Sequence, residues 1–207
     1  MRNIIRQNMY YFFSFFLLVI TGGIILATTS KEEITLWVNA HYSDLLDKII
    51  LIIDKIGTLW FSLFTLIMLW TLKGKKVLLN ASICFTSVML ITMFTKYILF
   101  PGTLRPTLHF EDATVLRLLE GVIQLKTESF PSGHTSSAFA IFTFLSLILP
   151  KKHWHILFAL IAASVGYARV YLSQHFITDV YTGMIIGVIV TTIIYWLFTN
   201  YTKKKCS

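Results

Sequence analysis

A handful of side chains and one short loop in this sequence have the types and spacing to handle an oxyanion. Toward the C-terminus the chain reads Ala168-Arg169-Val170-Tyr171-Leu172-Ser173-Gln174-His175-Phe176-Ile177-Thr178-Asp179. His175 and Asp179 stand at i, i+4, which in a helix stacks a carboxylate against an imidazole. A carboxylate on one ring nitrogen fixes the tautomer and makes the other nitrogen a better base or nucleophile. Pro131-Ser132-Gly133-His134 has the composition of a helix start. Pro suits the first turn, Ser caps it, and Gly lets backbone N–H groups approach an anion at the positive end of the helix dipole. Lys96, Arg105 and Arg169 supply three cations for an oxyanion with delocalised charge. Each feature alone has an ordinary reading as a structural histidine, a surface pair or an interfacial anchor. Their joint meaning depends on whether the fold gathers them.

Composition says which fold does the gathering. The chain has 207 residues, 56% of them hydrophobic and 14% charged, against about 25% charged in a soluble domain. Mean hydropathy is +0.71. These values exclude a disordered or low-complexity chain and point to an integral membrane protein, a single domain over residues 1–207. The net charge of +8 belongs to membrane topology, so no nucleic-acid partner is expected. Cys84 in an apolar run and Cys206 in the tail read as free thiols.

Apolar runs place spans at Tyr10 to Thr28, Ile56 to Leu72, Val77 to Thr95 and Val180 to Thr202. The first reads as a retained anchor, being long for a signal segment and lacking a clear cleavage site. Two shorter runs, Thr135 to Pro150 and Trp154 to Ala168, cross a bilayer only if His134 and Arg169 sit at membrane depth against protein. Six spans put Arg2, Arg6, Lys73, Lys75, Lys76, Lys151, Lys152 and Lys203 to Lys205 on one side, with no acidic residue among them. By the positive-inside rule that side, with both termini, is cytoplasmic. The fold expected is all-α, a bundle of six transmembrane helices. Residues 31–55 read as an outer-side interfacial helix feeding the second span. Residues 97–131 form a long outer segment with a short amphipathic helix over 113–125.

Helical rise then measures depth. Lys96 follows Lys76 by roughly 30 Å of helix; His134 and Arg169 lie roughly 24 and 26 Å from the cytoplasmic ends of theirs. His175 and Asp179 immediately precede the last span, and Arg105 lies in the outer segment. Topology thus gathers all six ionisable residues on the outer face at one depth. That conjunction is specific where the single features are not. Gly183-x-x-x-Gly187 marks a small-residue face for a neighbouring helix within the bundle. His153 and His155 read as cytoplasmic interfacial residues, His41 and His109 as structural.

Lys96…Arg105-Pro106, Pro131-Ser132-Gly133-His134 and Arg169-x5-His175-x3-Asp179 resemble the three signature motifs of the type 2 phosphatidic acid phosphatase (PAP2) superfamily, whose helical-bundle site is shared with vanadium haloperoxidases. The motifs cover residues 96–179. Two positions depart from the pattern: Tyr97 to Leu104 is two residues longer than usual between Lys and Arg-Pro, and Ala168 stands where Ser usually precedes the Arg. The resemblance implies a phosphohistidine on His175, oriented by Asp179, with His134 protonating the leaving alkoxide. It implies that Lys96, Arg105, Arg169, Ser132 and Gly133 bind the phosphoryl oxygens. No metal and no other cofactor is implied, and the sequence agrees in having no Asp/Glu cluster for Mg²⁺. The expected partners are the lipid bilayer and a lipid phosphate substrate: undecaprenyl diphosphate, phosphatidylglycerophosphate, phosphatidic acid or the phosphates of lipid A. The expected location is a bacterial inner membrane with a periplasmic active site. A phosphotransferase of the same family, and a non-catalytic lipid-phosphate binder or transporter, are the alternatives; only an enzyme requires His175, Asp179 and His134 together.

Overall fold

The computed structural model describes residues 1–110, 115–149 and 153–206, the side chains of 203–206 excepted. Pro150, Lys151, Lys152 and the side chains of Lys203 to Lys205, on which the topology expectation leans, lie outside the described residues. The order is α1 (Arg2–Gln7), α2 (Met9–Thr28), α3 (Lys31–Ala40), α4 (Asp44–Ile56), α5 (Leu59–Lys73), α6 (Lys75–Phe94), a π-helical turn (Thr95–Leu99), α7 (Pro106–His109), α8 (Gly133–Ile148), α9 (His153–Tyr171) and α10 (Ile177–Cys206). No strand occurs among the described residues, so the architecture is all-α.

Helix starts follow local chemistry. Ser30, Ser43, Thr58 and Ser132 each accept a backbone N–H of the first turn through the side chain, and Ser30 with Glu33 completes a capping box. Gly74, at φ +80°, joins α5 to α6 in a single residue, a conformation that costs glycine little.

α2, Lys75–Leu99, α9 and Ile177–Thr202 are each long and apolar enough to cross a bilayer. α4 and α5 together make a fifth such unit, bent by 57° at the break between them. The expected second span is therefore α5 continued from a tilted α4. α8 has 16 residues, short for a span, and protein surrounds it: Ala138, Phe139, Ala140, Ile141 and Phe144 are at most 1% exposed. Helix association in lipid relies on close packing at small residues. α10 uses Gly183 and Gly187 in this way, where a Cβ would come within 2.7 Å of Ser132 O and of Phe139 Cβ. The aromatic core beneath the site joins Tyr11, Phe12 and Phe15 of α2 to Phe139, Phe142 and Phe158, with Tyr11 Oη 2.7 Å from Thr143 Oγ1.

Three local expectations change. Residues 31–55 form two helices, because Ser43 caps a new start at Asp44; α4 is also more than interfacial, burying Ile50 and Asp47. Residues 115–125 are irregular rather than amphipathic helix. Asn39 holds both the N–H and the C=O of Arg117, and the Arg117 guanidinium grips Asp47, so side chains take the polar groups a helix would use. His155, expected at the interface, is fully buried, with Nε2 on Leu149 O at 3.1 Å.

Candidate active site

The end of α6, the starts of α8 and α10 and the end of α9 meet at one end of the bundle, with Arg105 and residues 127–129 against them. His175 sits in the loop between α9 and α10, two residues before the first residue of the helix in which the i, i+4 pairing was expected. The pair forms across the helix start instead, with Nδ1 3.4 Å from Asp179 Oδ2. Asp179 is held for this contact. Its Oδ2 also accepts from Phe176 N at 3.0 Å and from Ser129 Oγ at 2.5 Å.

On the other ring nitrogen, His175 Nε2 lies 3.3 Å from Arg105 Nη1. A guanidinium only donates, so Nε2 faces it with a lone pair and Nδ1 carries the hydrogen. Burial pushes the His175 imidazole down to about 3, against the opposing pull of its Asp179 hydrogen bond. It is therefore neutral at physiological pH, the state with a usable lone pair.

Arg105 spreads over the loop that covers His175. Nε donates to Thr127 O at 2.8 Å, Nη2 to Glu128 O at 3.1 Å and Nη1 to Gln174 O at 2.8 Å. Burial, and then the Arg169 charge, lower its guanidinium to about 10, so it remains a cation at neutral pH. Lys96 lies in the π turn and donates Nζ to Glu128 O at 2.6 Å and to Ser129 O at 3.4 Å. The longer Lys96–Arg105 spacing is taken up between the two, and both still reach the 127–129 backbone. Arg169 donates Nη1 to Asp54 Oδ1 at 2.7 Å and Nη2 to Gln174 Oε1 at 3.3 Å, while its buried Nε has no partner.

At the start of α8, Ser132 Oγ accepts from Thr135 N and Thr135 Oγ1, and Ser132 N donates to Asp179 O. The N–H groups of Gly133 and His134 have no intrahelical acceptor at this helix end. A Cβ built on Gly133 meets nothing within 4 Å. Open space, rather than packing, adjoins that glycine. Gly133, His134 and Lys96 form the polar end of a cavity of about 400 Å³ that runs between α5, α6 and α8 past Leu63, Leu66, Phe85 and Met89. Among the described residues, no three His, Cys, Asp or Glu side chains group closely enough to hold a metal ion.

Residues 75–203 match the PAP2 superfamily. The chain belongs to that superfamily. Among solved PAP2-like structures, LpxE of Aquifex aeolicus superposes with a TM-score of 0.63 at 30% identity, over 78% of this chain and 92% of that one. A transmembrane PAP2-type phosphatidylglycerolphosphate phosphatase from Bacillus subtilis superposes at 0.64 over 96% of both chains, at 23% identity. In sequence, phosphatidylglycerophosphatase B of Bacillus subtilis is 35% identical over 85 residues, 37% of this chain and 40% of that protein. Lipid A 4'-phosphatase of Porphyromonas gingivalis is 35% identical over 69 residues, 33% of this chain and 29% of that protein. The matches span less than half the length of the curated relatives.

Three residues of the candidate site went unread in the sequence. Ser129 stands directly before Phe130-Pro131-Ser132, and its hydroxyl donates to Asp179 and lies 3.4 Å from His175 Nδ1. Gln174 adjoins His175 and holds both arginines. Asp54 ends the apolar run Ile49 to Ile53, and a lone acid at such an edge was the available signal.

Proposed function

We propose that this protein is a metal-independent membrane phosphatase that cleaves a lipid phosphate monoester or diphosphate through a phosphohistidine on His175. The observation that carries the proposal is the pairing of His175: a lone pair on Nε2 in a cationic cradle, with Nδ1 backed by Asp179. His175 Nε2 attacks phosphorus as the bond to the lipid oxygen breaks, and Asp179 stabilises the charge that develops on the ring. His134 gives a proton to the leaving oxygen, then takes one from the water that attacks the phosphohistidine and frees inorganic phosphate. Lys96, Arg105, the unpartnered Nε–H of Arg169, the Ser132 hydroxyl and the Gly133 N–H hold the equatorial oxygens, where charge is spread in the transition state.

The apolar walls of the cavity beyond His134 suit a substrate with a hydrocarbon chain. The names of the relatives favour the same substrate class, among them phosphatidylglycerophosphate and lipid A. The positive-inside distribution favours a site on the outer, periplasmic face of a bacterial inner membrane.

The test is phosphate release from a panel of lipid phosphates by protein purified in detergent, with EDTA throughout and His175→Ala as control. Release that persists in EDTA and disappears in the variant is the expected result. Activity that EDTA abolishes, or that survives His175→Ala, would sink the mechanism.

A further inference from the structure

Arg169 is gripped on both terminal nitrogens before any ligand arrives. Asp54, in the last turn of α4, takes Nη1 at 2.7 Å, and Gln174 takes Nη2 at 3.3 Å. The side chain is 7% exposed and that of Asp54 21%. Held this way, the guanidinium presents the remaining donor, the buried and unpartnered Nε–H. Asp54 also brings a negative charge to a site whose other features attract anions. Lys96, Arg105 and Arg169 gather there with Asp179, bonded to His175, Ser129 and Phe176 N, with Glu128, which accepts from Gly102 N, and with Asp54, whose side chain bonds, among the described residues, to Arg169. A carboxylate beside a phosphate subsite opposes phosphate binding, since like charges a few ångströms apart in a partly dry site repel strongly. Its presence makes sense if affinity for the anion must be limited.

Building on the phosphatase function proposed above, we infer that Asp54 is a positioning residue with two separable effects. Its oxygen orients Arg169 toward the phosphoryl group, and its charge holds down affinity for the inorganic phosphate left at the end of each turnover. No step of the chemistry passes through Asp54.

Two substitutions separate the effects in the full-length protein in detergent. Asp54→Asn keeps an oxygen that accepts from Nη1 and removes the charge. Asp54→Glu keeps the charge and moves the oxygen by one methylene. The readouts are kcat, KM, product inhibition by inorganic phosphate, and direct phosphate binding followed by ³¹P line broadening. Asp54→Asn is expected to bind phosphate about tenfold more tightly, the effect of removing a modest charge repulsion, with kcat lowered as release slows. Asp54→Glu is expected to keep the wild-type phosphate affinity and lose kcat/KM. Unchanged or weaker phosphate binding by Asp54→Asn overturns the inference; Asp54→Ser, which also removes the charge, takes its place if the Asn variant does not fold. The binding measurement needs no turnover. Failure of the phosphatase function would show as no hydrolysis by any variant, and failure of this inference as wild-type phosphate affinity without Asp54's charge.

Discussion

Arg105 Nη1 lies 3.3 Å from Nε2 of His175, so the cation and the nitrogen proposed as nucleophile face the same point in space. Arg105 is fixed there by the carbonyls of Thr127, Glu128 and Gln174. A phosphoryl group attacked by Nε2 would replace the ring nitrogen as its partner. Arg105→Lys keeps a charge and cannot make these contacts together. It is expected to lower kcat by about 100-fold, the scale of losing one preorganised transition-state donor, with a smaller change in KM. A wild-type-like kcat with a raised KM alone would show that Arg105 only binds substrate. Steady-state kinetics on the preferred lipid distinguishes the two.

Ser129 donates to Asp179 Oδ2, the oxygen that faces His175 Nδ1. Without it, a 3%-exposed carboxylate loses one of the donors that hold its geometry. Ser129→Ala is expected to reduce kcat by about tenfold or more, in line with a hydrogen bond to a charged group, and to leave KM near the wild-type value. Ser129→Thr, which restores the hydroxyl, should recover part of the loss. A structural role alone would show as lower thermal stability with unchanged kcat in the folded fraction.

Helical rise was enough to bring Lys96, His134, Arg169, His175 and Asp179 to one end of the bundle, because each interrupts or borders an apolar run of countable length. Arg105 followed from the same topology. What stayed hidden depends on contacts that have no period. Asp54 meets Arg169 across 115 residues, and Ser129 and Gln174 act from loops where nothing repeats. The 115–125 stretch has helical apolar spacing, but Asn39 and Asp47 capture Arg117 and override it. The span count reads less clearly in the structure than in the sequence for a related reason: α4 and α5 bend at Gly57, where a Cβ would come 2.7 Å from His134 Cβ. The break lets that corner pack on the site.

Gly133 and Gly57 are expected to respond in opposite ways to the same methyl group. A Cβ at Gly133 meets nothing within 4 Å, whereas one at Gly57 meets His134 Cβ at 2.7 Å and His134 O at 2.9 Å. Gly133→Ala should keep its melting temperature and lose kcat/KM, because the methyl enters the space proposed for phosphate. Gly57→Ala should lose stability by about 1–3 kcal/mol, the usual cost of overpacking, and lose activity with it. Thermal unfolding in detergent beside kinetics checks both; a destabilised Gly133→Ala would mean the open space has another purpose.

His175 also sets a pH dependence of stability. Its folded-state value is about 3 against an ordinary 6.5, so between those limits the unfolded chain binds more protons than the folded one. Stability must therefore rise with pH across that window, and it is lost as pH falls below about 6.5. Replacing the imidazole by a group that does not titrate removes this contribution. The thermal midpoint of His175→Gln is expected to fall less than that of wild type between pH 7 and pH 4.5. Parallel curves for the two proteins would refute the assignment of a buried, neutral His175.

The 115–125 segment is anchored to the bundle by the Arg117–Asp47 ion pair with a supporting cast. Arg117 reaches Asp47 with both terminal nitrogens, at 3.0 and 2.5 Å, and its guanidinium lies 4.0 Å from the centre of the Tyr42 ring. Tyr171, two residues after Arg169, donates to the same carboxylate. From this anchor the chain runs to Gln124, whose Oε1 accepts from Gln174 Nε2 at 2.5 Å, and so to both arginines of the site. Arg117→Ala is expected to raise backbone hydrogen exchange over 115–125 and to raise KM several-fold, with kcat little changed because no reacting group is touched. Since the Arg117 side chain is 32% exposed, the loss in global stability should stay near the 1 kcal/mol scale of partly exposed pairs. Asp47→Ala leaves Arg117 and Tyr171 both without their acceptor, so it should cost more stability than Arg117→Ala. Exchange that stays at the wild-type level in Arg117→Ala would place the anchor in the Asn39 contacts to the Arg117 backbone, and Asn39→Ala would then show the loosening instead.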